Sequence, residues 1–200
     1  MTATTERVDK FEERRRELAD GALQTLSELG YARTSLREIA QNTAFSHGVL
    51  HYYFRDKVEL ITYCVRRYKA VCVQRYDEVI ESAGTADGLA RGFAEAMAAT
   101  LVADARMHRL WYDLRSQSLY ETAFRDDVRE IDATLENMIG RVLDRYAELI
   151  GGDPALDRPA AYALFDGLFQ QALLRHLAGE ESATRLRADV ERLLVLLLTT

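Results

Sequence analysis

The spacing of apolar residues predicts helices along nearly the whole chain. Between residues 11 and 29, Leu18, Ala22, Leu26 and Leu29 recur at steps of four, four and three, which places them on one face of an α-helix. Gly30 follows as a C-cap. Ser35-Leu-Arg-Glu38 then reads as a capping box, in which the serine oxygen accepts the amide three residues on and the glutamate reaches back. It starts a short helix ending near Asn42, and after Thr43-Ala44-Phe45 a second cap, Ser46, starts another that runs to about Phe54. Asp56-Lys-Val-Glu59 is a second capping box, opening a long helix from Lys57 to about Ser82 with Leu60, Ile61, Cys64, Val65, Tyr68, Val71 and Cys72 as its apolar positions. Gly84 and Gly88 mark a loop, and helices follow at 86–103, 105–117, 120–150, 159–178 and 183–198. Gly151-Gly-Asp-Pro154 is the clearest linker in the second part. No alternating stretch is long enough to build a sheet, and the only prolines are Pro154 and Pro159, so the fold expected is all-α.

Two short helices joined by a tight turn, with a supporting helix before them, predict a helix-turn-helix. Its second helix would enter the major groove of double-stranded DNA with His47, Gly48 and Val49 nearest the base edges. Ile39, Ala40, Val49 and Leu50 have the spacing to pack the pair together, which commits part of Val49 to packing. Phosphate contacts fall to the helix starts at Ser35 and Ser46, where free amides meet anions, and to Arg37, His51, Tyr52 and Lys57 as donors. Arg14, Arg15, Arg16, Arg33 and Arg55 add local positive potential, although acids interleave them.

The formal net charge of −6 argues against nucleic acid at first sight, but it is unevenly spread. Residues 1–80 carry 13 Lys+Arg against 12 Asp+Glu, whereas residues 81–200 carry 13 against 20. DNA binding therefore rests on the motif and a local patch rather than on bulk charge. The first residues have no apolar signal core, and no stretch approaches the length of a membrane span, so a cytoplasmic protein without membrane association is expected. Cys64 and Cys72 lie eight residues apart in one predicted helix and cannot bridge each other, which fits a reducing compartment.

The segment Leu36-Arg-Glu-Ile-Ala-Gln-Asn-Thr-Ala-Phe-Ser-His-Gly-Val-Leu-His-Tyr-Tyr-Phe-Arg-Asp-Lys-Val-Glu-Leu60 resembles the DNA-binding signature of the TetR/AcrR repressors, with Gly48, Leu50, Tyr52, Phe54, Lys57 and Leu60 at matching positions. The likeness covers about residues 10–65. It implies a protomer of about nine helices, a homodimer formed through the last two, a cavity for a small-molecule effector in the C-terminal bundle, and repression of transcription. Within the family, the His51–Lys57 stretch and the region from Trp111 to Tyr120 are most similar to the BetI-like regulators, named for choline response. Two positions depart from the pattern. Ala44 stands where a turn glycine is usual, which costs about 1 kcal/mol if that position needs a positive φ, and His51 stands where tyrosine is common.

These expectations give a DNA-binding domain over residues 1–56 and an effector-binding and dimerisation domain over 57–200. Effector candidates are Phe93, Met97, Leu101, Trp111, Tyr112, Arg115, Tyr120, Phe124, Phe165 and Phe169, a mostly apolar set in which Trp111 and Tyr112 suit a cation and Arg115 an acid; the same residues also suit an ordinary helical core. The dimer interface implied by the family would draw on Leu164, Leu168, Leu173, Leu186, Val190, Leu193 and Leu197. His47 and His51 have the i, i+4 spacing of metal ligands, but no neighbouring acid or cysteine completes a site, so neither metal nor cofactor is expected. There is no glycine-rich phosphate loop or nucleophile elbow, and no enzyme activity is expected. Two other readings stay open: a DNA-binding regulator controlled by oligomerisation or a protein partner instead of a ligand, and an all-helical enzyme using the aromatic set.

Overall fold

The structure is a computed structural model that describes residues 3–199. Among these, nine α-helices follow one another: α1 Ala3–Leu29, α2 Leu36–Gln41, α3 His47–Tyr53, α4 Lys57–Ser82, α5 Ala86–Ala103, α6 Ala105–Gln117, α7 Arg125–Ile150, α8 Arg158–Leu177 and α9 Ala183–Leu196. The expected helices at 86–103 and 105–117 end where the sequence pattern placed them. The one expected over 120–150 is interrupted at its start: Thr122–Phe124 forms a single 3₁₀ turn, and the α-helix begins at Arg125. Strand pairing, absent from the sequence reading, appears as two residues on each side, Asp153–Pro154 (β1) against Leu198–Thr199 (β2). No helix among the described residues is long and apolar enough to cross a membrane.

Caps explain most helix boundaries. The Ser35 box is complete: Glu38 N–H donates to Ser35 Oγ at 3.2 Å, and Ser35 N–H donates to Glu38 Oε2 at 2.8 Å. Ser46 Oγ accepts Val49 N–H at 3.2 Å. The box expected at Asp56 is only half formed. Glu59 N–H donates to Asp56 Oδ1 at 2.9 Å, but the Glu59 carboxylate takes Arg55 N–H, at 2.9 Å, one residue upstream of the expected donor. Arg55 Nε binds the same oxygen at 3.1 Å, and this second bond favours the shifted arrangement. Gly30 ends α1 with φ +74°, a conformation open to glycine at little steric cost. No residue other than glycine has a positive φ among those described, so Ala44 carries no such strain.

The contacts gather into two compact units. The first runs to Tyr68 and also takes in Arg109–Val128. Its interior holds Leu18, Ala22, Leu26, Ile39, Leu50, Phe54, Leu60, Ile61, Leu110, Trp111, Leu114 and Phe124, all essentially inaccessible to solvent. Burying each such large side chain contributes about 1.5–3 kcal/mol. The second unit comprises Lys69–His108 and the chain from Arg129 onward. There α9 packs on α5 and α8, and edge-to-face rings link Tyr76 to Phe93 (5.5 Å) and Phe93 to Phe165 (5.4 Å). A cut between residues 56 and 57 thus does not follow the contacts, since the first turns of α4 and the 109–128 segment pack with the N-terminal helices.

Candidate nucleic-acid interface

Helices α2 and α3 pack on each other through one apolar face. Ile39 and Leu50 are fully buried, and Leu50 is the buried residue of α3. The link between them is fixed locally. Asn42 donates its backbone N–H to Glu38 O at 3.1 Å and its side-chain amide to the same oxygen at 2.9 Å. Phe45 seats its ring against α1 at Gly21, where a Cβ would stand 2.7 Å from the ring, so any larger residue there would push the ring aside. Phe54 closes the far end of α3, buried beneath the Arg15 guanidinium, which lies 4.8 Å from its ring centroid and is held by Glu59 at 2.8 Å.

This packing leaves the outer side of α3 free. Ser46, His47, Gly48, His51 and Tyr52 are exposed, Tyr52 by 70%, while Val49 is half-buried as its double role implies. His47 and His51 stack edge to face at 4.5 Å, one helical turn apart. Among the described residues no group of three His, Cys, Asp or Glu side chains is placed to hold a metal. A Cβ built on Gly48 meets nothing within 4 Å, so no internal contact accounts for glycine at that position. Ser35 and Arg37 are exposed at the start of α2. The hydroxyls of Ser35 and Ser46 accept helix amides and keep their protons available for an outside acceptor.

Lys57 is engaged differently from the phosphate contact expected of it. Its Nζ donates to Tyr31 O at 3.1 Å and sits 3.8 Å from the centroid of the Tyr31 ring. Tyr31 is the hub of a polar cluster that sequence reasoning missed. Its N–H donates to Asp113 Oδ2 at 2.7 Å, its hydroxyl to Glu121 Oε2 at 2.9 Å, and its ring meets Phe124 edge to face at 4.9 Å. Burial, reinforced by the Glu121 carboxylate, pushes the Tyr31 phenol up to about 12. Arg109 reinforces the same joint by donating to the carbonyls of Ser27 and Glu28. These bonds hold the loop that leads from α1 into α2. No local pattern marks them, because the partners lie about 80 positions apart in the chain.

The residues expected to surround an effector are divided between the two units. Trp111, Tyr112, Arg115, Tyr120 and Phe124 belong to the first unit; Phe93, Met97, Leu101, Phe165 and Phe169 belong to the second. Tyr120 is 83% exposed, because the helix expected to carry it inward begins only at Arg125. In the second unit Phe169 packs on His108 at 4.5 Å, and His108 Nδ1 lies 3.3 Å from Lys69 Nζ. Burial, then the nearby Lys69 and Arg75 cations, hold this imidazole well below the ordinary histidine range. Cys64 is buried with its thiol raised to about 12, and Cys72 is buried as well.

The residues expected at a dimer interface also divide. Leu164 is exposed and Leu168 and Leu193 are half-buried, whereas Leu173, Leu186, Val190 and Leu197 are buried within the second unit. The helical period explains the division: α9 uses Leu186, Val190 and Leu194 as its inward stripe, which turns Val195 and Leu196 outward. Leu174 and Leu177 of α8 are exposed as well.

A pair of short capped helices, the second held by one buried side chain and presenting its outer face to solvent, defines a helix-turn-helix transcriptional regulator. Residues 18–64 match the family described as bacterial regulatory proteins of the tetR family, and residues 86–199 match the BetI-type transcriptional repressor C-terminal family. The chain belongs to the TetR family, with a C-terminal region of the BetI type. Similar folds include a TetR transcription regulator from Haloarcula marismortui (17% identity, TM-score 0.77, covering 94% of this chain and 100% of that one). Others are a protein from Saccharomonospora viridis described as a transcriptional regulator, in complex with choline (16%, 0.76, 94% and 99%), and FadR from Bacillus subtilis in complex with stearoyl-CoA (18%, 0.75, 90% and 97%). No curated protein matches the chain at a significant level.

Proposed function

We propose that this protein is a homodimeric repressor that binds operator DNA through α3 and is released by a small molecule bound in its second unit. The observation that carries the reading is the exposed row Ser46, His47, Gly48, His51 and Tyr52 on a helix anchored by Leu50. His47 and the open Gly48 surface meet base edges. Ser35, Arg37, Ser46, His51 and Tyr52 meet phosphates, and Val49 adds an apolar edge to the contact. The groove along Ala163, Leu164, Gly167, Leu168, Leu193 and Leu196 receives the same groove of a second copy, as a two-fold axis requires. That pairing sets two reading helices about 34–36 Å apart, or a multiple.

Effector binding falls to Phe93, Met97, Phe165 and Phe169 around His108, all in the second unit. Helix α4 contributes its first turns to one unit and its remainder to the other, so a ligand that prefers one position of α4 shifts the population of DNA-competent dimers. The ligands of the Saccharomonospora and Bacillus proteins support a role for small molecules without fixing its chemistry in this chain.

The test is binding of the purified protein to DNA from upstream of its own gene, across a salt series. Sequence-selective binding that weakens with salt supports the reading. Failure there and in selection from random DNA refutes it. A ligand-independent regulator is the second reading, favoured by the close packing of Phe93 on Phe165 and their near-complete burial. Any small molecule that binds the second unit and lowers operator affinity eliminates it.

A further inference from the structure

Where α8 ends and α9 begins, the second unit contains a cavity of about 220 Å³ lined by Leu168, Gln171, Ala172, Arg175, Ser182, Arg185, Leu186 and Asp189. Its chemistry is set by an unusual cap. Ser182 occupies the N-cap position of α9, where serine ordinarily accepts a helix amide, yet its side chain makes no capping bond. The preceding residue takes that role: Glu181 Oε1 accepts Thr184 N–H at 3.0 Å. Ser182 itself is 2% exposed, lines the cavity, and its hydroxyl has no hydrogen-bond partner. A buried hydroxyl in that state is an exception among folded proteins and points to an absent partner.

Two guanidiniums and one carboxylate share the same cavity. Asp189 is already engaged, with Arg185 Nε at 3.4 Å and Arg192 Nη1 at 3.5 Å. Arg175 stands in the last turn of α8 and forms no ion pair or side-chain hydrogen bond among the described residues. The remaining wall sets the apolar side chains of Leu168, Ala172 and Leu186 beside the Gln171 amide. We infer that this cavity is a binding site for a small carboxylate with a short apolar tail. Arg175 forms a charge-assisted pair with the acid, the Ser182 hydroxyl donates to it, Arg185 adds positive potential, and the tail lies along the leucines. The site is separate from the aromatic set around Phe93 and rests on neither the DNA-binding nor the effector reading. A carboxylate side chain of a second copy is the rival occupant. The isolated buried hydroxyl beside Leu168, Ala172 and Leu186 favours a free acid.

Isothermal titration of the full chain with sodium hexanoate at constant ionic strength tests the inference, with hexan-1-ol as the uncharged control. One hexanoate per chain is expected, with no binding of hexan-1-ol. Arg175→Gln and Ser182→Ala are each expected to weaken binding by about tenfold or more, while Ser182→Thr, which keeps the hydroxyl, retains it. Circular dichroism establishes that each variant is folded, and sedimentation follows its self-association. The inference is overturned if hexanoate fails to bind the parent chain, if the folded variants bind it equally well, or if hexan-1-ol binds as tightly. It is also overturned if Arg175→Gln weakens self-association while leaving hexanoate binding unchanged, because the cavity then serves a neighbouring protein chain.

Discussion

Replacing Gly48 with alanine separates the two roles that position can have. Glycine within a helix is less favourable than alanine by about 0.5–1 kcal/mol, since it surrenders more backbone freedom on folding. Gly48 lies in the first turn of α3, its φ is not positive, and an added Cβ meets no atom within 4 Å. The free protein should accept the methyl group and gain that stability, a rise of about 1–4 °C in Tm for a chain of this size. On the bound side, the methyl would add bulk to the exposed surface that also carries His47 and His51, the face assigned to the major groove. Loss of close approach there should weaken operator binding about tenfold, or about 1.4 kcal/mol. Thermal melting followed by circular dichroism gives the first quantity, and fluorescence anisotropy on the selected operator duplex gives the second. Higher Tm with unchanged affinity would mean that Gly48 does not face DNA. Lower Tm would mean that the open space beside it is not open.

Arg37→Gln should reduce the slope of log affinity against log salt by about 0.9, the share of one phosphate contact. Lys57→Gln should leave that slope nearly intact and lower stability in urea titration, because its ammonium is committed to Tyr31; equal slope changes in both would contradict this division. Leu164→Glu should give folded monomers by sedimentation, whereas Leu186→Glu should fail to fold, since only the second buries its charge within the protomer. The Tyr31 phenol is raised in the folded chain from 10.0 to about 12, so the stability it contributes is complete below pH 10 and is lost as pH rises through that interval. Denaturation midpoints of the parent and Tyr31→Phe should therefore converge between pH 10 and 12, and parallel profiles would refute the assignment.

What the sequence disclosed was local. Ser35 and Glu38 are three residues apart, and Ser46 and Val49 likewise, so the caps of α2 and α3 follow from spacing alone. The stripes of α1 and α4 announced most of their buried faces through the same period, although Val71 of the α4 stripe is 48% exposed. The cluster around Tyr31 was hidden because Asp113 and Glu121 reach it only after the chain has folded back. The bond from Lys57 to Tyr31 was hidden for the same reason, as its acceptor is a carbonyl 26 residues away. On α8 and α9, leucine occurs on both sides of each helix, so composition marked apolar surface without separating Leu186 from Leu196. The aromatic residues between Phe93 and Phe169 likewise suggested one gathering, although the contacts place them in two units.

The way α3 is held has an evolutionary corollary. Its fold depends on Leu50 and on Phe54 just beyond it, while Ser46, His47, Gly48, His51 and Tyr52 point away from the core. Changes at those five positions leave the anchoring side chains in place, so duplicated genes can diverge in target preference with little loss of foldability. If α3 reads the operator as proposed, a library randomised at His47, Gly48, His51 and Tyr52 would explore new promoters on an unchanged scaffold.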